Sequence, residues 1–333
     1  MRFLSIAERI IADDFKKHFA SIFESYAQES RFINERRMIL KSFKKRIGSP
    51  VFGNESTGSV FDAYVWMDGG KYRMDFSWRE KKACAVIFSD DGIHWSEPII
   101  TLEADPCSGF EDDINRNCVI KVGGIYRMWY TGQAHEYKNS YIGYAESKDG
   151  IHFERPFSEP IIIPEYPWEN ESVMNPCVIY DKGEYKMWYS AGETYKPNVN
   201  AYATSTDGIT WKKAKCNPIF VCKKENEYEQ SRIGGCHVIK TEDMGYLMFY
   251  IGYKDIETAC ICVAKSPDGI TRWERSPLNP IITPTQGAWD ADACYKPTVV
   301  WNEEEKKWML WYNGRRGVKE YIGYAEYDKR NLF

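Results

Sequence analysis

Five segments of the chain share a valine-centred apolar pattern, and the residue three positions before each valine breaks it. These residues are Asp62, Arg116, Asn175, Gly235 and Lys296. Burying charged or amide groups on apolar strands is costly unless a ligand or partner compensates them. A carboxylate, two cations and an amide gathered at one point could transfer a proton or bind an anion. A water-filled structural funnel could also hold them, because charged networks occur without catalysis.

A second set of polar and aromatic residues lies just upstream of these segments. The stretches WENESVMNPCVI (168–179) and WDADACYKPTVV (289–300) align without a gap, so their acids and tryptophans fall at equivalent positions. The residues expected at this rim are Asp112, Trp168, Glu171, Glu229, Arg232, Trp289 and Asp292. The tryptophans could stack on sugar faces or could pack the repeats together, since periodic aromatics are commonly structural. His135 and Arg315, in nearby loops, are further ligand candidates.

Short β-type runs repeat five times from residue 58 onward and would position these residues. The second run of each repeat closes on an aromatic residue about every 60 positions, which is the length of a propeller blade. After the third run, four repeats carry an Asp-Gly-Ile turn, which favours a tight hairpin. The four Asp-Gly-Ile sequences are at residues 91–93, 149–151, 207–209 and 268–270. In a propeller, the five aligned residues would meet at the mouth of a central tunnel, away from the Asp-Gly turns.

We therefore predict an all-β fold, a five-bladed β-propeller with an N-terminal α-helical extension. The extension is expected over 1–47 and the propeller over 48–333. The blades are expected near 58–100, 109–162, 168–220, 228–282 and 289–333. A strand from 51–57 could complete the last blade and remove an exposed sheet edge. The helices could pack on the propeller, join two copies as a homo-oligomer, or attach to an anionic membrane surface, and dispersed basic residues favour packing.

Composition excludes several classes of protein. The 333 residues include 12 Trp and 23 Tyr, which excludes a disordered chain, and the net charge of −4 argues against a nucleic-acid binder. No apolar run is long enough to span a membrane. Asp13 and Asp14 fall where a signal peptide would be apolar, so we expect a cytoplasmic protein with reduced cysteines. Phosphate-loop, nucleophile-elbow and zinc-helix motifs are absent from the sequence, and we predict neither a metal nor a cofactor.

The repeated unit resembles that of the five-bladed β-propeller glycosidases, the relatives of glycoside hydrolase families 43, 32 and 130. The matching stretches are NPCVIYDKGEYKMWYSAG (175–192) and YIGYAESKDGIHF (141–153), and the resemblance covers about 58–333. The stretch GFED at 109–112 is similar to the G-x-E-D-P-R motif of family 130, although the Pro and Arg are missing. The resemblance is specific for the fold and less specific for the reaction, because one fold hosts many functions.

The resemblance to family 43 implies an inverting glycosidase that works by acid–base catalysis in the central pocket. In that scheme Asp62 is the general base, and Glu171 or Asp112 donates the proton. The substrate would be a small or anionic oligosaccharide.

The cations that replace the usual inner-strand acids imply two alternatives. Arg116 and Lys296 could grip a phosphate or sugar phosphate, as a glycoside phosphorylase or glycosyltransferase requires. A non-catalytic sugar-binding propeller is the third possibility. All three hypotheses predict a carbohydrate as the binding partner. In the two enzymatic hypotheses this carbohydrate could be anionic or carry a phosphate.

Overall fold

Alternating apolar residues and tight turns fold the repeats into antiparallel sheets. The computed structural model describes residues 43–46, 48 and 50–333, so the helical extension predicted over 1–47, and any oligomer through it, falls almost entirely outside the described residues. Within the described part, the chain forms strands and four short 3₁₀ helices, and no helix there is long and apolar enough to cross a membrane. This part is all-β, as the repeated strand pattern predicts.

The strands group into five blades. Strand β1 is Lys44–Lys45, and the first blade contains β2 (Val60–Asp68), β3 (Lys71–Trp78), β4 (Ala83–Ser89) and β5 (Ile99–Glu103). The second contains β6 (Asp113–Val122), β7 (Ile125–Ala134) and β8 (Asn139–Ser147). The third contains β9 (Ser172–Asp181), β10 (Glu184–Glu193), β11 (Lys196–Ser205), β12 (Lys212–Lys213) and β13 (Phe220–Val221). The fourth contains β14 (Arg232–Thr241), β15 (Gly245–Tyr253), β16 (Ala259–Ser266) and β17 (Glu274–Arg275). The fifth contains β18 (Ala293–Asn302), β19 (Lys307–Arg316) and β20 (Lys319–Tyr327), and the 3₁₀ helices span Arg79–Lys81, Pro106–Ser108, Pro167–Glu169 and Glu227–Glu229.

The innermost strands close the blades into a ring. Strands β2, β6, β9, β14 and β18 each contact the next, and β18 contacts β2. In the fifth blade β1 pairs with β20, with Lys45 opposite Ala325, and Phe52 forms a further bridge to Ile322. The closing strand therefore includes residues ahead of the boundary predicted at 48, as well as residue 52 of the segment 51–57.

Buried tryptophans tie three of the five blades to an Asp-Gly turn of a neighbour. The indole N–H of Trp129 donates to the carbonyl oxygen of Gly208 at 2.9 Å, and Trp188 and Trp311 make the same bond to Gly269 and Gly92. Gly92 has a φ of +76°, and a Cβ there would lie 2.7 Å from the Trp311 ring. The turn thus needs glycine both for its backbone conformation and for the tryptophan packed on it.

Candidate functional site

A bulge in the inner strands turns the aligned polar residues toward the propeller axis. Pairing is interrupted around Asp62, Arg116 and Lys296, because the register shifts between the flanking residues of each strand. Asp62, Arg116, Asn175 and Lys296 have φ values of 57°, 56°, 56° and 49°, in the left-handed region. Bulges re-aim side chains in this way, and left-handed non-glycine residues cluster at functional sites.

The structure brings these four side chains together with Gly235 around one central cavity of about 690 Å³. Gly235 serves this arrangement by having no side chain. A Cβ at that position would lie 2.7 Å from Cγ of Asn175, so the glycine leaves room for the Asn175 amide. The cavity thus lies where the aligned sequence places it.

The cavity wall is strongly cationic. Among the described residues, seven cations line it, namely Arg79, Lys82, Arg116, Lys196, Arg232, Lys296 and Arg315. Four acids share the wall: Asp62, Asp113, Glu257 and Glu320. The resulting field favours an anionic ligand.

Some of these cations are neutralised by carboxylates and others are not. Arg79 forms a salt bridge to Glu320 at 3.1 Å, and Arg315 forms one to Glu257 at 2.9 Å. Arg116, Arg232 and Lys296 form no salt bridge with any described residue, and neither does Lys82, which is exposed.

Arg116, Arg232 and Lys296 are the three of these cations that are not exposed, and the first two contact neutral groups. Arg116 donates to the side-chain oxygen of Asn115 at 2.9 Å, and Arg232 lies 3.8 Å from the centre of the Tyr253 ring. The Nε of Arg232 has no hydrogen-bond partner among the described residues, and Lys296 is only 6% exposed. Buried cations without carboxylates are costly, and an anion bound in the cavity would offset that cost.

Two carboxyl groups of the cavity form no salt bridge with a cation in residues 43–46, 48 and 50–333. Asp62 is buried, and the Ser77 hydroxyl lies 3.4 Å from its Oδ2. Asp113 begins β6, where burial raises the pKa of its carboxyl group. A carboxyl group with a raised pKa keeps its proton at higher pH, as a general acid requires. Asp113 is therefore better suited than an exposed acid to donate a proton inside the cavity.

Further along the inner strands, side chains link neighbouring blades. The Sγ of Cys118 accepts the backbone N–H of Val178 at 3.2 Å, and Nδ1 of His237 accepts that of Val299 at 3.1 Å. Burial, followed by the charge of Lys296, lowers the pKa of His237 to about 3. His237 is thus a neutral core histidine rather than a ligand of the cavity.

The proposed proton donors Glu171 and Asp112 both lie outside the cavity lining. Glu171 is exposed, and its backbone carbonyl accepts a hydrogen bond from Asn139. Asp112 accepts the backbone N–H of Glu136 at 2.8 Å and so holds the β7–β8 loop. Successive side chains of a strand point to opposite sides, and it is Asp113, one residue later, that faces the cavity.

Two other predicted ligands also stabilise loops instead of lining the cavity. Asp292 accepts the backbone N–H of Gly317 at 2.7 Å, the same contact that Asp112 makes in the second blade. His135 is exposed, and its Nδ1 lies 2.8 Å from Oδ1 of Asn139. Local hydrogen bonds therefore occupy both side chains.

Glu229 belongs to a repeated structural cluster that we call the blade clasp: a buried acid before the inner strand and a cation from an outer strand. Glu229 is fully buried and lies 2.5 Å from Arg275. The equivalent pairs are Glu111 with Arg155, Glu169 with Lys213, and Asp290 with Lys45. In these three pairs a tyrosine of the second strand also donates to the acid. Glu229 thus forms a buried ion pair and lies outside the cavity lining.

The rim tryptophans pack against the blades. Trp168 stacks on Tyr166 with ring centroids 5.9 Å apart, and Trp289 stacks on Tyr312 at 6.0 Å. Neither ring lines the cavity. Both tryptophans therefore make packing contacts, and their stacking on a sugar stays a prediction.

Several residues that line the cavity are not among those predicted from the sequence. Asp113 comes directly after the proposed donor Asp112, and the start of β6 at Asp113 is seen only in the structure. Arg79, Lys82 and Glu320 also line the cavity but stand outside the inner strands, where the aligned residues lie. Arg232 and Arg315, in contrast, line the cavity as expected.

Comparison with known proteins identifies the family. A family model of glycoside hydrolase family 130, described as beta-1,4-mannooligosaccharide phosphorylase, matches residues 115–331. The chain belongs to glycoside hydrolase family 130. The resemblance to five-bladed propeller glycosidases is thereby confirmed.

Curated relatives match part of this family 130 chain. An uncharacterized protein of Mycobacterium tuberculosis is 35% identical over 172 residues, which are 47% of this chain and 54% of that protein. A 1,2-beta-oligomannan phosphorylase of Thermoanaerobacter is 29% identical over 136 residues, 38% of this chain and 44% of that protein. The chain thus spans about half the length of the curated relatives it matches.

A solved structure supports the fold. It belongs to family 130, described as a family of mannoside phosphorylases that contains glycoside hydrolases targeting beta-1,2 mannosidic linkages in Candida mannan. It superposes on this chain with a TM-score of 0.68. The sequence identity is 17%, and the match covers 88% of this chain and 96% of the other. At this identity the likeness shows the propeller fold alone.

Proposed function

We propose that this family 130 chain is an inverting glycoside phosphorylase that uses inorganic phosphate to cleave a small manno-oligosaccharide. The observation that carries the proposal is that Arg116, Arg232 and Lys296 line one central cavity and form no salt bridge within the described part of the chain. Charge-assisted hydrogen bonds from such groups are what a phosphate dianion needs. The choice of mannose follows the names of the family model and of the Thermoanaerobacter relative.

The reaction needs one proton donor and one nucleophile. An oxygen of phosphate attacks the anomeric carbon and forms a new C–O bond with inversion, while the glycosidic C–O bond breaks. The departing sugar oxygen takes the proton of the Asp113 carboxyl group, which leaves a carboxylate. The products are a sugar 1-phosphate and an oligosaccharide shortened by one unit.

The remaining cavity groups position the reactants. The cations hold phosphate and neutralise the charge that would otherwise repel the nearby carboxylates. Asp62, buried beside Ser77, accepts hydrogen bonds from sugar hydroxyl groups. The wall supplies both hydrogen-bonding and apolar surface, as a sugar ring requires.

Plain hydrolysis is the second candidate, and the pair Asp62 and Asp113 favours it. An inverting hydrolase needs a base that activates water and an acid that protonates the leaving group, and both carboxyl groups line this cavity. In that case Asp62 is the base, as the resemblance to family 43 implies.

One experiment separates the two candidates. Manno-oligosaccharides with β-1,2 or β-1,4 linkages are incubated with the protein in the presence and absence of inorganic phosphate, and phosphorus NMR follows sugar 1-phosphate. Phosphorolysis predicts a sugar phosphate that forms only when phosphate is added. Free mannose released at the same rate without phosphate would establish hydrolysis instead. A cytoplasmic location remains part of the proposal, since phosphorolysis conserves the energy of the bond for use inside the cell.

A further inference from the structure

Two tyrosines stand at matching positions on the mouth of the cavity. Tyr137 lies in the loop between β7 and β8, Tyr195 lies in the loop between β10 and β11, and each is followed by a lysine. Both side chains line the cavity, and Tyr195 is 60% exposed. A tyrosine ring offers a rigid apolar face with a hydroxyl group at its edge, which suits binding at a wet surface.

The two loops are joined by a hydrogen bond between residues adjacent to the two tyrosines. The Thr194 hydroxyl donates to the backbone carbonyl of Lys138 at 2.7 Å. Thr194 is itself buried, and its Oγ1 lies 2.7 Å from the Ser172 hydroxyl oxygen. The residue before one tyrosine is thereby fixed to the residue after the other.

The loop of Tyr137 is held in a costly backbone conformation. His135, Glu136 and Tyr137 have φ values of 53°, 57° and 66°, three consecutive non-glycine residues in the left-handed region. Each such residue costs roughly 1–2 kcal/mol. The Asp112 carboxylate, which accepts the Glu136 N–H, and the contact of His135 with Asn139 maintain the loop. These two side chains are therefore positioning residues that act through Tyr137.

We propose that Tyr137 and Tyr195 form a stacking platform that binds sugar units beyond the reacting linkage. The platform selects linear oligosaccharides over disaccharides, because only a longer chain reaches from the cavity floor to its mouth. Lys82, with its Nζ 5.5 Å from the centre of the Tyr137 ring, completes the platform as a donor to sugar hydroxyls. The ligand class, a neutral oligosaccharide, rests on the proposed function.

The test measures how reactivity depends on chain length. Phosphorolysis of manno-oligosaccharides of two to five units is compared for the wild type, Tyr137→Ala and Tyr195→Ala. Each alanine variant should lose about tenfold in kcat/KM on the longest substrate and less than about twofold on the disaccharide, since an aromatic stacking contact is worth about one factor of ten. The phenylalanine variants, which keep the ring, should retain most of the preference for long chains.

Tyr180 provides the matched control, because it is 45% exposed and lies outside the cavity lining. Tyr180→Ala should leave the length dependence unchanged. Equal losses on all chain lengths in the cavity variants, or no loss at all, would overturn the platform.

A binding measurement separates this proposal from the proposed reaction. Calorimetry on the Asp113→Asn variant follows binding of the same oligosaccharides without turnover. Affinity that rises with chain length, and no longer rises once Tyr195→Ala is added, supports the platform even if phosphorolysis fails. Affinity independent of length, or no binding, refutes the platform even if the disaccharide is cleaved.

Discussion

The blade clasps and the cavity use the same residue types in opposite ways. In a clasp such as Glu229 with Arg275, each buried charge meets its opposite at hydrogen-bond distance. In the cavity, Arg116, Arg232 and Lys296 are turned inward by the strands but meet no carboxylate among the described residues. The presence of buried charge therefore does not mark a functional site in this protein. What distinguishes the two regions is whether the charge is neutralised by another of the residues that the structure describes.

The difference also has an energetic meaning. Removing one partner of a buried ion pair lowers the free energy of unfolding strongly, because the other charge is left without a partner. A buried cation that has no carboxylate partner lowers the stability of the fold as long as no anion is bound. Functional sites commonly sacrifice stability in this way. Removing a cation should therefore lower the stability of the fold in a blade clasp and raise it in the cavity.

The largest effect on activity is expected when the carboxyl group of Asp113 in the cavity is replaced by an amide. Asp113→Asn should lower kcat by about 10²–10⁴-fold, the usual contribution of a general acid. Because burial raises the pKa of Asp113, wild-type activity should persist above the ordinary range of an aspartate and fall as pH rises through that pKa. Initial rates over a pH series measure both effects. Glu171→Gln, an exposed acid outside the cavity lining, is the control, and an equal loss in that variant would contradict the assignment.

Breaking one clasp should cost stability and leave chemistry alone. Arg275→Met leaves Glu229 buried without a cation, so the free energy of unfolding should fall by about 3–5 kcal/mol. Urea denaturation measures it. The double variant Glu229→Gln with Arg275→Met should recover much of the loss, because no unpaired charge remains. A single variant as stable as the wild type would show that the clasp is dispensable.

Removing a cavity cation should have the opposite effect on stability. Lys296→Met should raise the KM for phosphate about tenfold or more and also raise Tm, because a buried cation without a carboxylate partner is replaced by an apolar side chain of similar length. Phosphate-dependent kinetics and thermal melts are the two measurements. A lower Tm combined with an unchanged KM would place Lys296 among the structural charges.

The smallest effect is expected at the Asp-Gly turns, which lie away from the cavity. The carboxylate of Asp207 accepts the backbone N–H groups of Ile209 and Thr210 at 2.8 and 2.7 Å, so Asp207→Ala should cost about 1 kcal/mol, like the loss of a helix cap. Burial opposes the ionised form, but these hydrogen bonds lower the pKa of Asp207 to about 2.

The lowered pKa of Asp207 fixes the pH window of that contribution. A carboxyl group with a depressed folded-state pKa stabilises the fold fully above its unfolded pKa of about 3.9, and the contribution is lost as pH falls toward 2. Acid denaturation curves of Asp207→Asn should therefore be flatter between about pH 4 and pH 2 than those of the wild type. Parallel curves would show that the turn carboxylate does not contribute.

Repetition in the sequence explains why the blade pattern and the aligned position of Asp62 and Lys296 were predictable. Five copies of one unit reveal which residues depart from it, and departures on apolar strands point to the axis. The left-handed bulge that turns these side chains inward leaves no mark in the composition, because aspartate, arginine, asparagine and lysine all adopt it here.

The choice among the rim acids could not be made from spacing alone. Asp112 and Asp113 are adjacent, and a one-residue difference in where β6 begins decides which carboxyl group enters the cavity. Glu229 stands just before an inner strand, where a ligand of the cavity is also expected. Its partner Arg275 comes from an outer strand 46 positions away. Such long-range pairing is a property of the folded blade and not of the local pattern.

The strand at Lys44–Lys45 has a practical consequence for anyone preparing this propeller. A recombinant fragment trimmed at residue 48 would discard the ammonium group that lies 2.6 Å from Asp290 and would expose the outer edge of β20. An uncovered edge invites pairing with other molecules. Such a fragment is expected to express as self-associating material, whereas one that retains Lys44 and Lys45 keeps its last sheet covered.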